Sequence, residues 1–368
     1  MPLNDAKVRV KSRNMEQLAQ YREHLRAHPR LTYLFVELTD RCNLRCLHCG
    51  SQCEPRHGTF LDTELLLRTL EQVAEDFEPG SVMICLTGGE PLLHPDFDRI
   101  AARIHALGFP WGMTSNGTLI DGACAARLRA NGIGSLTLSL DGLRDSHDAL
   151  RQVPGSFDRT IAAVGALHAA SIPVQITTVF HKENFAEREA LYEFLCTLHI
   201  ASWRVINLEP IGRALSHPEL LLSREEFTGL LDFIRARRFD PATPMDVRFG
   251  CSHYLSYEYE HEVRDNYFLC GSGLYVASIL CSGEIYSCLD IERRPELVQG
   301  HIARDRFSEV WRNKFQAFRA DRSQSCAECR RCTERTFCGG DAAHTWDYER
   351  NKPLFCFLRK DDCYDIRE

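Results

Sequence analysis

The chain has 368 residues, 44% of them hydrophobic, and a formal net charge of −7, enough sequence for a large core with a smaller domain beside it. The acidic balance argues against a nucleic-acid partner, and no apolar run approaches the roughly 20 residues of a membrane span. The opening residues hold no apolar export signal, so a cytoplasmic location is expected, where 17 cysteines point to metal or redox chemistry more than to disulfides.

In chain order, residues 1–30 read as a helical lead-in with Leu18, Tyr21 and Leu25 recurring at helical spacing. From there to about residue 208, short apolar runs alternate with helical patterns. Strands are expected at 33–39, 82–87, 110–115, 135–140, 174–180 and 203–208, each rich in β-branched or aromatic residues. Between the first two, Leu66, Leu70, Val73 and Phe77 form one apolar stripe, with Asp62 or Thr63 as cap and Pro79-Gly80 as stop. Further helices are expected at 96–108, 121–132, 157–171 and 186–200. Six such alternations predict an α/β fold with a parallel sheet and right-handed crossovers, open or curled into a partial barrel.

Past Asn207 the rhythm changes. Ser223 and Glu226 make a capping box, and a proline-rich connector spans 240–246. Residues 216–265 therefore read as a helical linker between a barrel at 31–215 and a small cysteine-rich, loop-rich domain at 266–368, with one hairpin signal at 275–288. The stretch 253–268 is expected as an exposed interdomain helix, the alternative being a lining of the substrate cleft.

Each expected strand runs into a distinctive loop: CNLRCLHC after the first, then GGEP, SNG, SLDG, HKEN and EPIGR. In parallel α/β folds the carboxyl ends of the strands share one edge, where loops converge on a ligand. Cys42, Cys46 and Cys49 supply three thiols, one short of a closed zinc site. Three thiols on a cubane cluster leave one iron open to another molecule. Cys53 reads as already leaving the loop, and Cys85, Cys124 and Cys196 as inert buried thiols.

The C-x-x-x-C-x-x-C loop after the first strand, with His48 before the third cysteine and Gly88-Gly89-Glu90-Pro91 after the second strand, resembles the radical S-adenosylmethionine (radical SAM) enzymes over residues 33 to about 210. The resemblance implies a partial (β/α)6 TIM-like barrel. It also implies a 4Fe–4S cluster on Cys42, Cys46 and Cys49 that chelates SAM, whose reductive cleavage gives a 5′-deoxyadenosyl radical. Under it, Gly88 and Gly89 let a ligand approach the backbone, and Glu90 accepts from the SAM ammonium. Asn116 and Ser139 face its ribose or methionine portion, and Arg151 its carboxylate. Asp141 reads more simply as a turn residue, and His181 and Asn184 as exposed loop.

The tail, Cys270-x12-Gly283-x4-Cys288 and then Cys329-x2-Cys332-x5-Cys338 with Cys356, resembles the SPASM extension of such enzymes, which carries auxiliary 4Fe–4S clusters. By that resemblance Cys329, Cys332, Cys338 and Cys356 hold an outer cluster. The next cysteine of the pattern is Ala342 here, which leaves Cys270 and Cys288 short of partners. Cys326, Asp341 and His344 stand as substitutes, the related twitch pattern being an alternative, so one auxiliary cluster or two remains open. Cys281 and Cys363 read as non-ligands. Asp290, two residues after Cys288, is the candidate general base.

The implied function is hydrogen abstraction from a ribosomally made peptide or a protein, giving a cross-link, an epimer or an oxidised product. A low-potential donor of flavodoxin or ferredoxin type would reduce the site. About 30 residues precede the first strand, short of the ~80-residue leader-binding module many peptide maturases carry, so leader binding is expected to use another surface or a separate leader-binding protein. The alternatives are sulfatase-type side-chain oxidation, small-molecule dehydrogenation, and, in another class, a non-catalytic iron–sulfur electron carrier.

Overall fold

The computed structural model describes residues 5–56, 58–250, 253–359, 363 and 364. Cys251 and the extreme ends of the lead-in and the cysteine-rich domain lie outside them. Seven parallel strands stand in chain order: β1 (Tyr33–Glu37), β2 (Met83–Thr87), β3 (Trp111–Ser115), β4 (Ser135–Ser139), β5 (Val174–Phe180), β6 (Ser202–Asn207) and β7 (Asp246–Phe249). Between them run the helices of a partial barrel. The first six strands fall where the apolar runs put them, because residues such as Leu34, Val36, Ile84, Leu86, Leu136 and Leu138 are fully buried against those helices.

The helix after β1 shows how locally the sequence speaks. It spans Thr63–Asp76; the Asp62 side chain accepts from Leu65 N (2.7 Å), and Leu66, Leu70 and Val73 are buried. The helix at Arg224–Arg238 opens with the expected capping box, Ser223 N donating to Glu226 Oε2 (2.8 Å) and Glu226 N to Ser223 Oγ (3.2 Å).

Residues 216–265, expected as a helical linker, also contain β7, which pairs in parallel with β6. Its four residues include Asp246 and Arg248, so periodicity alone does not mark it as a strand. Nor is 253–268 an exposed helix. Only Ser256–Tyr259 is helical, and His253, Tyr254, Glu260, Val263, Arg264 and Phe268 are buried. Two of its charges are internal: Arg264 pairs with Glu260 at 2.6 Å.

The expected hairpin forms as β8 (Val276–Ile279) and β9 (Glu284–Tyr286), and the sheet continues to β10 (Gly300–His301). The cysteine-rich region is not a separate body beside the barrel. β8 pairs in parallel with β1, extending the sheet to ten strands in the order β10-β9-β8-β1-β2-β3-β4-β5-β6-β7. Glu37, the last residue of β1, is fully buried; its Oε1 accepts from Arg293 Nη2 (2.7 Å) and its Oε2 from Cys281 N (3.0 Å). The N-terminal helix (Asp5–Ala27) reaches the far side, where Arg22 donates to the carbonyls of Phe337 (2.9 Å) and Thr336.

Candidate functional site

The loops at the carboxyl ends of β1 to β6 pack on one another. Gly88 and Gly89 serve a close backbone approach, as expected, but the backbone that approaches is the chain's own. A Cβ on Gly88 would run into the Thr39 carbonyl and one on Gly89 into that of Arg41. Gly89 N donates to Thr39 O (2.6 Å) and Glu90 N to Arg41 O (2.9 Å). Gly88, at φ 150°, has a conformation L side chains rarely adopt. The GGEP turn thereby sets the start of the cysteine loop.

Glu90 is fully buried, its Oε1 accepting from Ser115 Oγ and its Oε2 from Asn116 N, both at 2.9 Å. Burial pushes its carboxyl up to about 7, against those hydrogen bonds. A carboxylate has lone pairs to spare beyond these two contacts. Asn116 Nδ2 in turn reaches Asn43 Oδ1 (2.8 Å) and lies 3.8 Å from Cys42 Sγ. Ser139 closes β4, half-buried.

Cys42 and Cys46 are buried and Cys49 half-buried, the three lying in one cluster. Burial raises the Cys42 thiol to about 12 and also raises Cys46, so these sulfurs favour the thiolate only beside a cation. One cation is present. Arg151 Nη1 donates to Cys46 Sγ (3.5 Å) and its Nε to Asp141 Oδ2 (2.7 Å). Asp141, expected as a turn residue, is instead fully buried. Burial would raise its carboxyl, but Arg151, with His48 and His147, holds it down at about 2. Arg151, expected on the SAM carboxylate, is thus held by an internal one.

Three imidazoles complete this corner. Asp141 N donates to His147 Nδ1 (3.0 Å), which requires a ring unprotonated there, and burial lowers His147 to about 4. His48 is lowered to about 3, again by burial, and its Nδ1 is buried without a hydrogen-bond partner. Within the HKEN loop His181 and Asn184 turn inward while Lys182 and Glu183 stay exposed. His181 is 1% and Asn184 0% exposed, with neither His181 nitrogen hydrogen-bonded, while Asn184 ties Val179 O (3.0 Å) to Asp141 O (3.2 Å).

Two features went unread in the sequence. Cys53 does not leave the loop but stays buried, and the thiol of Cys49 is drawn down to about 6, chiefly by its hydrogen bond with Cys53. The EPIGR loop is a clamp: Arg213 N donates to Cys49 O (3.0 Å), Nε to Cys46 O (2.8 Å) and Nη2 to Cys53 O (2.9 Å). Two acidic residues stand near this loop. Asp290, exposed, reaches beside Gly50. Glu209, two residues past β6, is buried with Oε1 3.0 Å from His253 Nε2 and Oε2 2.8 Å from His344 Nε2. His253 Nδ1 lies 3.0 Å from Asp341 Oδ2. Burial opposes these charges, but the two imidazoles hold Glu209 far below the usual carboxylate range, and Glu209 and Asp341 raise His253. Strand-end position was the one signal that could have found Glu209; nothing local marks His253.

In the cysteine-rich domain Cys329, Cys332, Cys338 and Cys356 line one cavity of about 180 Å³, together with Tyr254, Phe355 and Phe357. Four thiols and no other strong ligand type but Asp341 and Glu328 around an apolar hollow suit a cluster more than a hard cation. The donor set fits a cubane. Three thiols at the cysteine loop, framed by a glycine-tight turn and buried unpartnered imidazole nitrogens, likewise fit a cluster with an open vertex and a small ligand. Cys270 and Cys288 are both half-buried, and Cys326 stands apart from them, its Sγ accepting from Cys329 N (3.5 Å). Cys281 and Cys363 are buried and do not line the cavity, Cys363 Sγ accepting from Arg224 Nη1 (3.4 Å) and Cys363 O from Cys356 N (2.7 Å).

The family described as the radical SAM superfamily matches residues 36–195, and the SPASM iron–sulfur cluster-binding domain matches 270–333. The AdoMet-dependent heme synthase of Nitratidesulfovibrio vulgaris is 29% identical over 86% of this chain and 90% of its own length. The PqqA peptide cyclase of Gluconobacter oxydans is 26% identical over 81% and 82%. The crystal structure of Streptococcus suis SuiB bound to S-adenosylmethionine matches with a TM-score of 0.69 at 18% identity, over 85% of this chain and 73% of that one, a likeness of fold. The two domains imply 4Fe–4S clusters and SAM binding, and among the described residues no helix is long and apolar enough to cross a membrane. The chain is a radical SAM enzyme with a SPASM domain at its C-terminal end.

Proposed function

We propose that this enzyme cleaves SAM reductively and abstracts hydrogen from a peptide or protein substrate held at the carboxyl edge of the barrel. When bound, a cluster on Cys42, Cys46 and Cys49 with SAM supplies the 5′-deoxyadenosyl radical, and a cluster on Cys329, Cys332, Cys338 and Cys356 supplies one-electron transfer. The chain's own residues prepare the place. Arg213 fixes the three carbonyls of the cysteine loop, and the Arg151–Asp141 pair sets charge beside Cys46. Glu90 orders the ends of β2 and β3, and the buried imidazoles keep this corner dry. Asp290, beside Gly50, is the group we assign to accept a substrate proton at its carboxylate, and Glu209 positions His253 and His344.

The observation that carries the reading is the convergence of buried Cys42 and Cys46 with the Arg151–Asp141 pair at one strand edge. For a peptide substrate, support comes from the likeness to the PqqA peptide cyclase. The heme synthase, similar over 90% of its own length, favours a second reading in which the substrate is a tetrapyrrole. The test is anaerobic turnover with dithionite and SAM, following 5′-deoxyadenosine together with the mass of candidate peptides and of an iron porphyrin bearing propionates. A mass change in a peptide alone supports the first reading; a change in the porphyrin alone replaces it with the second.

A further inference from the structure

We infer that Arg22, on the N-terminal helix, is the counter-charge of the cluster at the outer cysteines and a positioning residue that sets its reduction potential. Met15, Ala19, Arg22 and Leu25 recur at helical spacing and are all buried. Arg22 therefore stands on the inner stripe of its helix, where an apolar residue would be expected. It is 8% exposed, and among the described residues no carboxylate pairs with it. Glu23 and Asp321 are both taken by Arg26, at 2.6 and 3.7 Å. A buried cation without an anion is costly.

The guanidinium lies on the turn that carries Cys338. Nη1 donates to Phe337 O (2.9 Å) and Nη2 to Thr336 O. These are late carbonyls of the short helix Arg335–Cys338, which ends before they can find partners within it. Gly339 follows at φ 67°, and a Cβ there would lie 2.5 Å from Arg22 Nη1. Arg22 is thus pressed against the backbone before and after Cys338, one of the four cysteines around the outer cavity. Its Nε is buried without a hydrogen-bond partner.

Arg319 shows how a buried arginine with no acid is satisfied by structure alone. Its Nε, Nη1 and Nη2 donate to the carbonyls of Gly273, Lys314 and Trp311. Its guanidinium also lies over the Trp311 and Phe315 rings, 5.1 and 5.5 Å from their centroids. Among the described residues Arg22 has neither a full set of acceptors nor an aromatic face. What it has is the cysteine turn. Four thiolates outweigh the charge of an iron–sulfide core, so a cluster held there is an anion, and more so when reduced. A fixed cation beside it, away from water, favours the reduced form and raises the potential.

The inference rests on a cluster at the outer cysteines and not on which substrate is used, so its test does not involve turnover. The full chain is reconstituted anaerobically beside Arg22→Gln and Arg22→Lys. Each is titrated with reductant under electron paramagnetic resonance, the outer signal being the one lost in Cys332→Ala. In Arg22→Gln reduction should be disfavoured at least about tenfold, a potential lower by about 60 mV or more. Arg22→Lys, which keeps the charge but not the fork, should stay near the wild type. An unchanged potential in Arg22→Gln, or an equal fall in both variants, would overturn the inference. Should Arg22→Gln not hold the outer cluster, Arg22→Lys decides: a potential near the wild type supports the inference, and a lowered potential or a missing cluster refutes it. Iron at the cysteine loop alone in the wild type would remove the outer site and this inference with it.

Discussion

Arg151 donates from Nε to Asp141 at 2.7 Å while its Nη1 reaches the sulfur of Cys46 at 3.5 Å. Ten residues apart in sequence, the two charges are both buried, and each is tolerable only because of the other. Asp141→Asn removes the anion and leaves the guanidinium uncompensated, so the apoprotein should lose about 3–5 kcal/mol. The double variant Asp141→Asn/Arg151→Met should lose less than the sum of the single losses. Denaturant midpoints of the four proteins measure this coupling; additive losses would mean that the pair does not interact.

The same corner sets an acid sensitivity. His147 is lowered to about 4 from 6.5 because burial disfavours its charged form. The unfolded chain therefore binds the extra proton first, and stability contributed above about pH 6.5 falls away as pH drops toward 4, by up to about 3 kcal/mol. His147→Asn, which keeps an acceptor for Asp141 N–H, should flatten that slope. A wild-type profile level between pH 6.5 and 4 would contradict the assignment.

Glu209 should behave differently because its partner's shift is opposite in sign. His253 is raised by Glu209 and Asp341, so its share of stability is full below pH 6.5 and lost as pH rises through its folded value. Glu209 is lowered, so its share is present above about 4.5 and lost in acid. The network contributes most between those limits, and Glu209→Gln should cost about 3 kcal/mol there, with the loss shrinking on either side. A cost independent of pH would show that these side chains are not charged.

Much of this was legible in the sequence and some was not, for physical reasons. Leu66, Leu70 and Val73 mark their helix because one face of a helix repeats every three to four residues. The six first strands announce themselves as short runs rich in β-branched, aliphatic or aromatic residues. β7 does not, since Asp246 and Arg248 interrupt four residues. Nor does β8, whose pairing with β1 joins segments some 240 residues apart, as Tyr33 with Val276. Cys42, Cys46 and Cys49 stand out by spacing alone. Asp141, His181 and Asn184 look like loop residues because burial of polar groups is decided by partners contributed from other loops. Arg213 was visible as a strand-end residue, but its three-way hold on the cysteine loop exists only once the barrel is formed.

That hold gives a further expectation. Arg213→Met removes two charge-assisted hydrogen bonds to the loop carbonyls, each worth about 1.5–3 kcal/mol. Iron at the cysteine loop should be lost to a chelator at least about tenfold faster, while iron at the outer site is unaffected. Equal rates in variant and wild type would remove Arg213 from the account.

Asp290→Asn should leave deoxyadenosine formation intact and slow product formation by about 10²–10⁴-fold, the usual worth of a general base. Product formed at the wild-type rate would return Asp290 to the surface.

The central claim, that Cys42, Cys46 and Cys49 present an open iron to SAM, is tested most directly by electron paramagnetic resonance of the reduced, reconstituted chain before and after SAM is added. The account requires a shift in the g values of one cubane signal, absent in a Cys46→Ala variant. A spectrum unchanged by SAM in the wild type would contradict it.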